Sequence, residues 1–154
     1  MEKMERINAS DAATVELLGE MYRNVTTGSE NLAAAVPRIR DGELMAAVTA
    51  QLERYAEYTD RVARLMKRRS RKPKELSAVR KAVSRGTVLV NALTDPAAGS
   101  VARMISRETK EGMVRLEDRL SELEARGCSR DAADLCRDIL AFEEEAARTA
   151  PGAK

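Results

Sequence analysis

Chemistry in this chain has to be done without imidazole, because the sequence contains no histidine. The groups left are carboxylates, three tyrosines, two cysteines and a cluster of basic side chains. Carboxylates matter most where helical spacing turns them toward an apolar stripe. At about 100° of rotation per residue, Glu16 and Glu20 fall opposite the stripe of Leu18, Met21, Tyr22 and Val25. Glu53, Glu57 and Asp60 likewise fall opposite Leu44, Val48, Tyr55, Tyr58 and Val62. These five read as a solvated face. Two acids differ: Glu143 falls within the stripe of Cys136, Ile139 and Ala146, and Glu108 at the edge of that of Val101, Ile105 and Gly112. An unpaired carboxylate costs several kcal/mol to bury. The plain expectation is an internal hydrogen bond or ion pair, for example to Gln51 or a tyrosine hydroxyl. The sharper one makes Glu108 and Glu143 a carboxylate metal site. Mg²⁺ and Ca²⁺ accept all-oxygen ligands, but two acids are a thin set.

The other reactive types read as structure. Tyr22, Tyr55 and Tyr58 sit at helical spacing on apolar faces, where a hydroxyl reaches for a polar partner. The seven methionines fill core space. Cys128 and Cys136 lie about two helical turns apart, too far for a bridge, and read as free thiols.

Charge is unevenly placed. The chain carries a net charge of +2, yet residues 61–85 hold eleven basic residues and a single acid, Glu75. Lys67, Arg68, Arg69, Arg71 and Lys72 are the densest part and the candidate anion-binding residues. Cations favour a helix C-terminus, which accounts for a few of them. Phosphate contact would account for the rest, although no aromatic side chain interleaves the run to stack bases. An acidic face of a second copy is a further partner for it.

The elements that position these groups are helical. Ala, Leu, Glu, Arg and Val dominate, and aromatic residues make up 3%, a mix that favours helix over strand. Ser10 or Asp11 is expected to cap a first helix that runs to about Val36 and stops before Pro37. Asp41 opens a second, which fades into Lys67–Lys72 before Pro73. A third is expected from about Lys74 to Leu93, carrying Leu76, Val79, Val83 and Val90. Asp95-Pro96 starts a fourth that ends at Gly127, and Ser129 caps a fifth. Short connections favour antiparallel neighbours. The reading is one domain over residues 1–154, with its core at about 11–148 and a polar tail over 149–154. No stretch approaches the roughly 20 apolar residues of a spanning helix, and no leader pattern opens the chain. The expected location is therefore cytoplasmic.

Two hairpins joined by a shorter connecting helix, with the segments Met21-Tyr22-Arg23-Asn24, Leu93-Thr94-Asp95 and Phe142-Glu143-Glu144, resemble the ferritin-like superfamily. More narrowly they resemble its small bacterial members of unassigned function. The resemblance spans about residues 12–147 and implies an all-α, antiparallel four-helix bundle. Metal-binding members place a Glu on each of two helices and Glu-x-x-His on each of the other two. Here Ala146 stands at the His position after Glu143, and Asp60 at that after Glu57. The resemblance thus implies a degenerate di-iron motif. It points to a non-enzymatic bundle without cofactor that forms a homodimer or binds a protein partner. Two alternatives remain: an atypical iron or manganese site at Glu108 and Glu143, and non-specific nucleic-acid association through residues 61–85.

Overall fold

The computed structural model describes residues 2–69 and 98–149, with side chains described over 9–69 and 101–148. Within these residues the chain is all-α. Helix α1 spans Glu2–Ala35, α2 Gly42–Arg69, α3 Ala98–Ala125 and α4 Arg130–Thr149. The expected helix over 74–93, the Asp95-Pro96 start, and Arg71 and Lys72 lie outside the described residues.

Helix α1 begins earlier than the Ser10 or Asp11 cap predicts. Residues 2–9 contain no Gly or Pro to stop a helix, so the turn continues toward the N-terminus. Ser10 is free for another task and donates its hydroxyl to the carbonyl of Gly127. At the other end α1 gives way to a 3₁₀ turn, Val36–Arg38, with Pro37 in its first positions. Proline fixes its own φ and lacks the N–H that a continuing α-helix would need.

Three further boundaries follow the expected caps. The Asp41 carboxylate accepts from the backbone N–H of Leu44 at 3.1 Å, which satisfies one orphan donor of α2. Helix α3 closes on Gly127 at φ 84°. There the N–H of Cys128 bonds to the Leu123 carbonyl at 3.1 Å and that of Gly127 to Glu124 at 3.0 Å, the paired bonds of a Schellman ending. Ser129 Oγ accepts from the N–H of Ala132 at 3.4 Å. Thr14 reaches across from α1 to accept the N–H of Ser129 at 2.8 Å.

Packing explains why the helices stay together. In α2 the buried residues Leu44, Val48, Gln51, Tyr55, Tyr58, Val62 and Leu65 alternate spacings of four and three, so one narrow seam faces the neighbours. Helix α4 buries Ala132, Cys136, Ile139, Glu143 and Ala146 at the same rhythm. Helix α1 lies at the centre of the assembly and packs on α2, α3 and α4. Its Leu17, Met21 and Val25 are fully buried. At such positions a truncation to Ala costs about 2–5 kcal/mol. No helix among the described residues is long and apolar enough to cross a membrane.

Candidate functional site

One member of the α4 seam is not apolar. Glu143 is 2% exposed, because the four-three rhythm of α4 turns it into the seam. Its Oε1 accepts from Asn24 Nδ2 of α1 at 2.6 Å, and its Oε2 accepts from the Tyr55 hydroxyl of α2 at 2.7 Å. Both donors are uncharged, and among the described residues no ion pair reaches the carboxylate. Burial pushes the Glu143 carboxyl up to about 7, against the opposing pull of Tyr55 and Asn24. The same burial, with the carboxylate beside it, holds the Tyr55 hydroxyl well above the usual range.

Two glycines make the clamp possible. A Cβ on Gly28 would meet Tyr55 Cζ at 2.7 Å and its hydroxyl oxygen at 2.8 Å. A Cβ on Gly112 would meet Asn24 Oδ1 at 2.7 Å. The ring therefore crosses α1 over Gly28, and the amide crosses α3 over Gly112. All four helices contribute: α1 the amide and a gap, α2 the hydroxyl, α3 a gap, α4 the acid. Phe142 holds the Tyr55 ring edge-on, with centroids 4.9 Å apart, and lies against Tyr58 at 5.4 Å. Arg54 stacks over Tyr58 and Phe142 at 5.2 and 5.6 Å and donates to the Tyr58 hydroxyl at 3.0 Å.

Beside the clamp is a cavity of about 30 Å³ between α1 and α3, bordered by Asn31, Glu108, Thr109 and Arg115. That space suits a water molecule. Glu108 is half-buried and reaches the cavity wall, so the two candidate acids share one cavity. They do not share a ligand set. Among the described residues no three Cys, Asp or Glu side chains come together around a metal position. Glu143 already spends both oxygens on neutral donors, and Arg115 borders the same space. Among the described residues, the acids at this cavity fall short of the carboxylate and imidazole set of a di-iron centre.

The other sequence candidates fall elsewhere. Glu16, Glu53, Glu57 and Asp60 are exposed and Glu20 is half-buried. Glu16 is not idle, because it pairs with Arg119 at 2.7 Å and Arg126 at 2.8 Å on α3. Desolvation is the largest single influence on its carboxyl and raises it, but the combined pull of the two guanidinium groups is greater and holds it below the ordinary value. Gln51 is buried on α2 but borders a groove against α4, and a tyrosine hydroxyl takes the role expected of either. Cys128 and Cys136 are free thiols, and burial pushes the Cys136 thiol up to about 12. Lys67, Arg68 and Arg69 are exposed at the end of α2. Arg69 is tied to Asp131 of α4 at 2.8 Å and Arg61 to Asp138 at 3.3 Å, so part of the basic run is spent inside the molecule. Asn24, Gly28 and Gly112 were not legible as site residues. The one signal for Asn24 and Gly28 is a polar strip, Asn24, Thr27, Gly28 and Asn31, running along the edge of the α1 apolar stripe.

No family model, no curated protein and no solved structure matches this chain.

Proposed function

We propose that this chain is a ferritin-like, antiparallel four-helix bundle without a functional di-iron centre, acting as a non-enzymatic, self-associating or partner-binding protein. One observation carries the reading. In metal-binding bundles of this class, inward carboxylates from facing helices hold the ions. Here the one fully buried acid among the described residues, Glu143, is closed off by Asn24 and Tyr55 instead. The neighbouring space of about 30 Å³ suits water rather than an organic substrate.

Pairings along the helices support the topology. Arg69 meets Asp131 while Tyr55 meets Glu143, so α2 and α4 run in opposite senses. Ser10 meets Gly127 while Asn24 comes against Gly112, so α1 and α3 do as well. Thr14 meets Ser129 and Asn24 meets Glu143, which gives α1 and α4 one common sense. A bundle with α2 and α3 both opposed to that sense needs a connection as long as itself, as a ferritin-like crossover provides.

The test is to load the purified protein with Fe²⁺ or Mn²⁺, desalt it, and measure bound metal. Sedimentation at tens of micromolar protein accompanies it. The expected result is substoichiometric metal and a dimer. Stoichiometric metal that disappears in Glu143→Ala would establish the metal-binding alternative instead, and a clean monomer would remove self-association.

A further inference from the structure

We propose that Glu143 is a proton-operated latch: the helices close on its neutral carboxyl, and α4 opens more readily from the others once that carboxyl is ionised. This goes beyond the proposed function and stands whether or not that function is right. The argument begins with geometry. The carboxyl is 2% exposed at mid-seam of α4 and joins α4 to α1 and α2 through one bond each, to Asn24 and Tyr55. It has no cationic partner within the clamp, so ionisation places an uncompensated charge where three helices meet.

Among the described residues, most groups around that charge are neutral. Facing the clamp from α1 are the uncharged Asn24, Thr27 and Asn31. From α2 comes Tyr55. From α3 come half-buried Glu108 and exposed Arg115, one of each sign, across the cavity. On α4 itself Cys136 lies two turns before Glu143, its thiol protonated by burial.

The neutral form has its own hydrogen bonds. Protonated Glu143 donates to the Tyr55 oxygen, and the Tyr55 hydroxyl turns toward Thr109, which borders the same cavity. Thr109 in turn donates to the carbonyl of Ile105 at 2.9 Å. Tyr55 thus serves as donor to the ionised acid and as acceptor from the neutral one.

The direction of the pH effect follows from linkage. The folded carboxyl sits at about 7, against an ordinary value of 4.5, so the folded state keeps a proton that the opened state has released. The resulting stability is complete below about 4.5 and is lost as pH rises through about 7. Above that window the opened fraction exceeds that of a permanently neutral side chain by roughly 300-fold.

Cys136 reports the opening, since it is fully buried on the same helix. In a Cys128→Ser background, its labelling by a pyridyl disulfide under native conditions is compared with that of the same protein carrying Glu143→Gln. The ratio of the two rates cancels the ionisation of the thiol. It should rise on the order of 50- to 100-fold between about pH 5 and pH 8.5, and a flat ratio overturns the latch. A second measurement needs no variant at position 143. The infrared C=O band of a protonated carboxyl in the wild-type protein should disappear with a midpoint near neutrality, and its loss below about pH 5 overturns the proposal. Both profiles should be unchanged by EDTA. A profile that EDTA creates or abolishes also overturns it, because a cation rather than a proton would then hold the carboxylate.

Discussion

Replacing Gly28 with alanine sets two physical effects of opposite sign against each other. Position 28 is inside α1, where alanine is favoured over glycine by about 1 kcal/mol through backbone entropy. Against that, the new Cβ would lie 2.7 Å from Tyr55 Cζ and 2.8 Å from its hydroxyl oxygen. Carbon atoms at rest stay about 3.5–4.0 Å apart, so the ring has to move by roughly 1 Å. Phe142 packs on one side of that ring at 4.9 Å between centroids, so the displacement is not free. Overpacking of this kind costs about 1–3 kcal/mol. Stretching the 2.7 Å bond to Glu143 forfeits part of the roughly 1.5–3 kcal/mol carried by a hydrogen bond to a charged group. The clash wins, and Gly28→Ala should destabilise the protein by about 1–3 kcal/mol. Urea unfolding followed by circular dichroism at neutral pH measures this, provided the m-value is unchanged. Gly42→Ala is the control, because no neighbouring atom lies within 4 Å of its Cβ position; it should stay within about 0.5 kcal/mol of wild type or gain slightly. Repeating Gly28→Ala in a Tyr55→Leu background removes the ring and should abolish the penalty. A Gly28→Ala protein as stable as wild type, or an equal cost in both backgrounds, would refute the clamp geometry.

Removing one donor alone, Tyr55→Phe leaves Oε2 of Glu143 buried and unpaired and should cost about 1–3 kcal/mol. The loss should grow as pH is raised above neutrality, where the carboxylate is charged; urea titrations at about pH 5 and pH 8.5 separate the two. Gly127→Ala forces a side chain into the left-handed region at φ 84° and should lower stability by about 1–2 kcal/mol, read as a drop in urea midpoint. For the basic run, duplex binding at 150 mM salt should be sequence-independent, with a dissociation constant of about 10⁻⁴–10⁻⁶ M. Replacing Lys67, Arg68, Arg69, Arg71 and Lys72 with Gln should flatten its salt dependence, as a fluorescence anisotropy titration would record. Submicromolar, sequence-selective binding would contradict this.

The four described helices and several of their ends were legible because their signals are local. Asp41, Gly127 and Ser129 act within one turn of themselves, and Pro37 stops α1 by its own ring. The start of α1 was not, since the Ser10 hydroxyl has two uses and the choice depends on Gly127, 117 positions away. Glu143 was visible as an inward acid because periodicity alone places it on the α4 seam. Its partners were only half visible. A tyrosine hydroxyl was foreseen in kind, while Asn24 was not, because nothing within α1 shows which helix its amide meets. Gly28 makes room for a tyrosine ring from another helix, which nothing in its own sequence neighbourhood announces. Glu108 sits at the edge of its stripe in the sequence and at the edge of the cavity in space, so a small rotation decides how far it is covered.

The turn between α3 and α4 is completed from outside itself. The backbone N–H of Ser129 is met by Thr14 and the carbonyl of Gly127 by Ser10, both residues of α1. A hairpin that closes its own turn can form early and wait for the rest of the chain. This one leaves a donor and an acceptor to solvent until α1 arrives, and the loop that joins them exceeds a hundred residues. Closing so long a loop carries an entropic cost that later contacts have to repay, and non-local contacts of this kind slow folding. Folding should then be governed by the docking of α1, with substitutions at Thr14 slowing refolding more than those at the Asp41 cap, whose bond spans three residues.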